Sequence, residues 1–166
     1  MRLPFRFLLI LALLAPANAL AKAPTVLFVC QFGSVKSPVA RELFRKRARE
    51  RGIAVTAFSR GITPEAHVAP LLRTALDAEG VNPERDGLHK LSRSSLRRAT
   101  ITVLFDRLPS DWTANRAQDW TDTGSLNQAY AAEKPRLLSR IDALLDTIAL
   151  KSQSTATGEP SRLRKY

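Results

Sequence analysis

Cysteine is almost missing from this sequence: Cys30 is the single one in 166 residues. A lone thiol excludes an intramolecular disulfide framework, a multi-cysteine zinc site and a dithiol relay within the chain. Two histidines leave little for a histidine-rich metal centre. Seven glycines and ten prolines are too few for a collagen-like or Pro/Gly low-complexity chain. The apolar run Phe7 to Ala15 is nine residues long, well short of the roughly 20 that a bilayer span needs. Acids are scarce too, with 15 Asp+Glu against 26 Lys+Arg and a formal charge of +11. That excess favours anionic partners. What is present, 45% hydrophobic residues over this length, suffices for one domain with a proper core and not for two large ones.

The first 21 residues read as an address. Arg2 and Arg6 precede the apolar run, Pro16 breaks it, and Ala17-Asn18-Ala19-Leu20-Ala21 supplies small residues for cleavage after Ala19 or Ala21. This is the three-part pattern of a secretory signal peptide, and it predicts an exported, periplasmic protein. Residues 1–21 hold two arginines and no acid, which leaves +9 on the remainder. The basic excess therefore belongs to the folded part.

Beyond it, Thr25 to Cys30 is a continuous apolar run, as in a parallel strand buried on both faces. Gln31 to Lys36 reads as a loop. Ser37-Pro38 reads as the N-cap and first residue of a helix that Gly52 stops. A second strand is expected over Ile53 to Phe58, a helix over Ala66 to Glu79, and a short helix near Ser92 to Arg97. Further strands are expected over Ile101 to Phe105 and, at an edge, Ala114 to Trp120. A long last helix has Pro135 in its first turn. The alternation predicts an α/β domain over residues 22–150, with a four-stranded, mostly parallel sheet flanked by helices on both faces. Residues 151–166 are rich in Ser, Thr and base and read as a disordered tail. In open parallel sheets ligands bind at the carboxyl ends of strands, which directs attention to the loop after Cys30.

That loop has a definite chemical content. Backbone N–H groups from Gln31 to Ser37 can curl around one point and form an anion nest. The helix start adds partial positive charge there, and Gly33 can take the left-handed conformation such a curl needs. A thiol facing this ring is favoured as thiolate, and the same ring would hold the outer oxygens of a phosphoryl group during displacement. Cys30 would be the nucleophile and form a phosphocysteine. Ser37 would donate to the thiolate and improve it as a leaving group. The competing reading is an inert cysteine at a strand end.

V-L-F-V-C, a small loop, a cation, Ser-Pro and an alanine-rich helix together resemble the low-molecular-weight protein tyrosine phosphatases and the arsenate reductases that share their fold. The likeness covers about residues 24–150, and Ser59-Arg60-Gly61 is similar to the family's S-x-G after its second strand. It implies catalysis by Cys30, with Gln31, Phe32, Gly33, Ser34, Val35, Lys36 and Ser37 binding phosphate and no metal or cofactor. The family motif carries arginine six positions after the cysteine, and Lys36 stands there. Arginine offers phosphate a planar fork and lysine a point charge. Loss of one charge-assisted bond, about 1.5–3 kcal/mol, corresponds to about 10- to 150-fold. The family usually has asparagine where Gly33 stands. Its general acid lies in an Asp-Pro late in the chain. Asp122, in Trp120-Thr121-Asp122-Thr123, is the best match although the proline is absent, with Asp119 and Asp106 as further candidates. Trp120 is either a core residue or a substitute for the family's substrate-gripping aromatics.

Arg41, Arg45, Lys46, Arg47, Arg49 and Arg51 crowd the first helix, Arg93, Arg97 and Arg98 form a second cluster, and Arg162, Arg164 and Lys165 a third. No aromatics interleave with them as nucleic-acid binding would require. They read as solvated faces with weak attraction to anionic membrane. The expected partner is a phosphorylated small molecule or phosphoprotein. Two functions stand beside each other: an exported phosphomonoesterase of reduced activity, and a non-catalytic phosphate-binding module. Arsenate reduction is disfavoured, because no resolving cysteine is present and an external thiol would have to complete the cycle.

Overall fold

The structure, a computed structural model, describes residues 22–156. The signal segment and the last ten residues of the expected tail lie outside the described residues. The chain order is β1 (Thr25–Cys30), α1 (Lys36–Glu50), β2 (Thr56–Gly61), α2 (Pro70–Asp77), α3 (Arg93–Arg98), β3 (Ile101–Leu104), β4 (Ala117–Asp119) and α4 (Leu126–Ala156). The four strands form one sheet in the order β2-β1-β3-β4, with every pairing parallel.

β1 is buried on both faces, and its residues divide by alternation. Val26, Phe28 and Cys30 join the larger core with residues of α1, α2 and α4. Leu27 and Val29 face a smaller cluster with Leu91, Leu96 and Ala99, around α3. Phe28 meets Phe44 of α1 edge-on at 5.4 Å between ring centroids and packs against Trp120 at 6.2 Å. Trp120 also meets Phe105 at 5.7 Å and is buried, so it is a core residue and does not grip substrate.

Several element boundaries differ from the sequence reading. β2 starts three residues later than expected. Gly52 sits at φ +63, and Gly52 N and Ile53 N donate to Arg49 O and Ala48 O. That double closure of α1 uses Ile53 in the turn, and the ladder begins where Thr56 pairs with Thr25. α2 is shorter than expected. Pro70, which has no N–H to give, begins it, while Val68 N donates to Glu84 Oε1 at 2.7 Å. α4 begins ahead of Pro135, which lies inside the helix, and departs from helical geometry at Ala129. α4 also runs to Ala156, so residues 151–156 are helical and do not belong to a disordered tail.

Four of the six cations around α1 are engaged by neighbours, while Lys46 and Arg49 are exposed as expected. Arg41 is 1% exposed. Its guanidinium donates to Glu42, to Ser59 Oγ of β2 and to the carbonyl of Pro83. Arg45 donates to Ala57 O on the outer edge of β2 and pairs with Asp86. This closes an edge strand that would otherwise present free carbonyls. Arg47 and Arg51 pair with Asp142 and Asp146 of α4. These four arginines pin the helix to its neighbours.

Candidate active site

β1 ends at Cys30 beside the end of β2, where Cys30 pairs with Gly61. The chain then turns back into α1. Gly33 makes that turn possible: its φ is +62, and a Cβ there would lie 2.7 Å from the Cα of Gly61. Gly61 is equally constrained, since its own Cβ would lie 2.7 Å from Gly33 N. Two glycines, one on each side of the contact, let the loop lie flat on the end of β2. The segment after β2 then fastens it from outside. Ile62 N, Thr63 N and Glu65 N donate to the carbonyls of Cys30, Gln31 and Phe32 at 3.1, 2.9 and 2.9 Å. Glu65 also accepts from Ser34 Oγ, a side chain with no exposed surface.

With the loop's carbonyls turned to that segment, its N–H groups remain. Those of Phe32, Gly33, Ser34, Val35 and Lys36 donate to no acceptor among the described residues. Gln31 N donates to Asp106 Oδ2 at 2.8 Å, and Ser37 N donates to Cys30 Sγ at 3.4 Å. Ser37 is not the N-cap of α1. The helix begins at Lys36, two residues earlier than expected, Val35 is its N-cap, and no side chain caps it. The Ser37 hydroxyl is used elsewhere, 3.1 Å from Cys30 Sγ and 3.4 Å from the carbonyl of Arg60 to which it donates. The result is a thiol beside five consecutive unspent donors and an uncapped helix start, a ready place for an anion.

A cleft of about 430 Å³ opens over this loop. Cys30, Gln31, Phe32, Ser34, Val35 and Lys36 line one side, with Glu65 and Asp106 beside them. Thr123 to Asn127 form the opposite wall. Phe32 stands on the rim, 53% exposed. Gly33 and Ser37 support the loop from behind. Lys36 Nζ donates to the carbonyl oxygen of Thr123 at 2.7 Å, so the loop's cation spans the cleft to its far wall.

Asp122 is not brought to the thiol. Its carboxylate pairs with Arg140 at 2.5 Å and Arg136 at 3.2 Å on the α4 side, and it does not line the cleft. The Arg140 guanidinium beside it holds its carboxyl below the usual carboxylate range. Spacing along the chain brought Asp122 near the last helix but carried no sign of which way the turn would face. Asp119 accepts from the backbone and hydroxyl of Thr121 and also lies outside the cleft. Asp106 does line it. The sequence carried a signal for this residue, since it follows a buried strand that pairs with β1. Glu65 had no such signal; it comes into place only because residues 62–65 run beside the loop.

The family model for low molecular weight phosphotyrosine protein phosphatases matches residues 25–117. Among curated proteins no sequence match is found. Solved structures resemble the fold. A thioredoxin-dependent arsenate reductase from Corynebacterium glutamicum is 24% identical with a TM-score of 0.62, covering 78% of this chain and 63% of its own. This chain thus spans less than two thirds of that reductase. A low molecular weight protein tyrosine phosphatase from T. tengcongensis is 17% identical with a TM-score of 0.64, covering 75% of this chain and 99% of its own. YfkJ from Bacillus subtilis is 16% identical with a TM-score of 0.60, covering 81% and 98%.

Proposed function

Given that the chain belongs to the low molecular weight phosphotyrosine protein phosphatase family, we propose that it is an exported enzyme that hydrolyses phosphomonoesters through a cysteinyl-phosphate. The observation that carries this reading is the run of unspent N–H groups from Phe32 to Lys36 beside Cys30 Sγ. Five backbone donors and the helix start match the three outer oxygens of a phosphoryl group, and they stabilise charge without having to reorganise. Cys30 attacks phosphorus, the bond to the leaving oxygen breaks, and water then displaces the thiolate. Ser37 Oγ lies 3.1 Å from Cys30 Sγ, and its O–H, turned from the carbonyl of Arg60 to the sulfur, stabilises that thiolate as it leaves. Lys36 supplies a positive charge at the rim. The net charge of the chain draws phosphorylated ligands toward the cleft.

A second reading, a phosphate-binding module without turnover, has one observation in its favour. The motif cation is a lysine, and its ammonium is already engaged by Thr123. The two readings separate in one assay. Aryl phosphate hydrolysis that disappears in Cys30→Ala supports the enzyme; vanadate or phosphate binding with no such hydrolysis supports the module. Export is tested by the intact mass of the mature protein, which should begin at Leu20 or Lys22. Exported material that begins at Met1 would contradict it.

A further inference from the structure

The reaction proposed above needs an acid, and the residue expected for it, Asp122, is turned away and held ionised by two arginines. The cleft has a different carboxyl at its base. Asp106 follows β3, and β3 pairs with β1 through Val29 and Leu104. Phe105 N continues that pairing by donating to Val29 O at 2.9 Å. The parallel ladder thus delivers Asp106 to the same end of the sheet as Cys30, one strand over. Its position is set by the end of the ladder and by its bond to Gln31 N. Oδ2 accepts from the N–H of Gln31, the residue next to the nucleophile. Oδ1 has no hydrogen-bond partner among the described residues, and Asp106 lines the cleft together with Cys30 and Lys36.

We infer that Asp106 is the proton carrier of this site, a catalytic residue just past the end of the strand beside the nucleophile. The inference rests on the phosphatase reading. In the first half-reaction the Cys30 thiolate forms the S–P bond and the P–O bond of the ester breaks. The proton on Asp106 Oδ1 passes to the departing oxygen, leaving a carboxylate that Gln31 N–H stabilises through Oδ2. In the second, that carboxylate takes a proton from the attacking water. The new P–O bond forms, the S–P bond breaks, and thiolate, orthophosphate and protonated Asp106 are regenerated. Nothing beyond ester and water is consumed. Glu65 also borders the cleft, but its carboxylate holds Ser34 Oγ, and its backbone N–H is bonded to the loop. We assign it to keeping the loop in shape.

The test compares leaving groups. An acid matters most when the departing oxygen is a poor leaving group, whereas damage to the cradle slows all esters alike. kcat/KM would be measured for 4-nitrophenyl phosphate and phenyl phosphate with the wild type, Asp106→Asn, Asp106→Glu, Asp122→Asn and Glu65→Gln. Vanadate binding would serve as the check that the cradle is intact. Asp106→Asn should lose on the order of 100-fold or more on phenyl phosphate and about tenfold or less on 4-nitrophenyl phosphate, within the range general acids contribute. Asp106→Glu, which keeps the acid, should restore much of the phenyl phosphate rate, and Asp122→Asn should leave the ratio of the two substrates unchanged. Equal losses on both substrates in Asp106→Asn would overturn the assignment. So would a selective loss on phenyl phosphate in Asp122→Asn or Glu65→Gln. Should Asp106→Asn fail to bind vanadate, Asp106→Glu decides: a substrate ratio like that of the wild type supports the role, and equal losses on both substrates overturn it. A wild type with no Cys30-dependent hydrolysis of either ester overturns the phosphatase reading itself, and this role with it.

Discussion

The ammonium of Lys36 donates to the carbonyl oxygen of Thr123 at 2.7 Å, joining the loop after β1 to the segment that leads into α4. That segment is held from the other side as well. Arg140 donates to Thr123 Oγ1 and pairs with Asp122, and Gly124 N donates to Glu133. On the proposed reading Lys36 is both the cation of the anion site and the strap that ties the loop to the far wall of the cleft. Lys36→Met should weaken vanadate binding by about 10-fold or more, the equivalent of one charge-assisted bond. It should also speed amide exchange over residues 121–125. Lys36→Arg, which keeps the charge and adds a second donor, should preserve or raise aryl phosphate turnover. A Lys36→Met protein with unchanged exchange in that segment would show that the strap has no mechanical role.

Gly61 and Gly33 are mutually necessary. Gly61→Ala would place a Cβ 2.7 Å from Gly33 N, against backbone that cannot swing aside. It should destabilise the fold by about 1–3 kcal/mol, the usual range for overpacking, and abolish vanadate binding. Gly52→Ala is the control. It shares a positive φ, +63, but has nothing within 4 Å of its Cβ, so it should cost stability and leave anion binding intact. Denaturant unfolding with and without vanadate measures both effects.

The topology was legible because β1 is a continuous apolar run and the elements alternate; burial on both faces of that strand follows directly. The loop was legible because Cys30, Lys36 and Ser37 fall between a buried strand and a helix. Three things were not. Ser37 was expected both to cap the helix and to meet the thiol; the contact with Cys30 Sγ is present, but Val35 takes the cap position. Serine before proline favours the cap, and nothing local shows that the helix starts at Lys36 instead. Arg41 looked like one cation among six on a helix face, but Ser59 and Pro83, distant in sequence, give its guanidinium acceptors and bury it. Asp122 carried the right spacing and the wrong direction, because Arg136 and Arg140, about three and four turns into α4, draw it outward.

Ser37→Ala removes the hydroxyl 3.1 Å from the thiol and keeps the backbone N–H at 3.4 Å. The hydroxyl matters most while the thiolate departs, so kcat should fall by about tenfold, near the worth of one hydrogen bond to a charged group. The intermediate should accumulate, visible as a burst of phenol release before a slow steady state. A uniform loss with no burst would assign the hydroxyl to folding alone.

Stability should depend on pH through Glu84. Its carboxylate pairs with Arg73 and accepts Val68 N, and the Arg73 guanidinium first, then that backbone bond, holds its pKa below the ordinary value. A depressed carboxyl stabilises the fold above its unfolded pKa of about 4.3, and the contribution fades as acid protonates it in the folded state. Glu84→Gln should therefore melt below the wild type at pH 7, with the gap closing as the pH drops beneath about 4. A gap of the same size at both ends of that range would contradict the assignment.

The central claim is that Cys30 sulfur bonds to phosphorus. Rapid-quench mass spectrometry after mixing the full protein with 4-nitrophenyl phosphate tests it most directly. One phosphoryl group is expected on the peptide carrying Cys30, formed within the first turnover and absent in Cys30→Ala. A wild-type protein that binds vanadate in the cleft but never carries phosphorus on that peptide would contradict it and leave a binding module in its place.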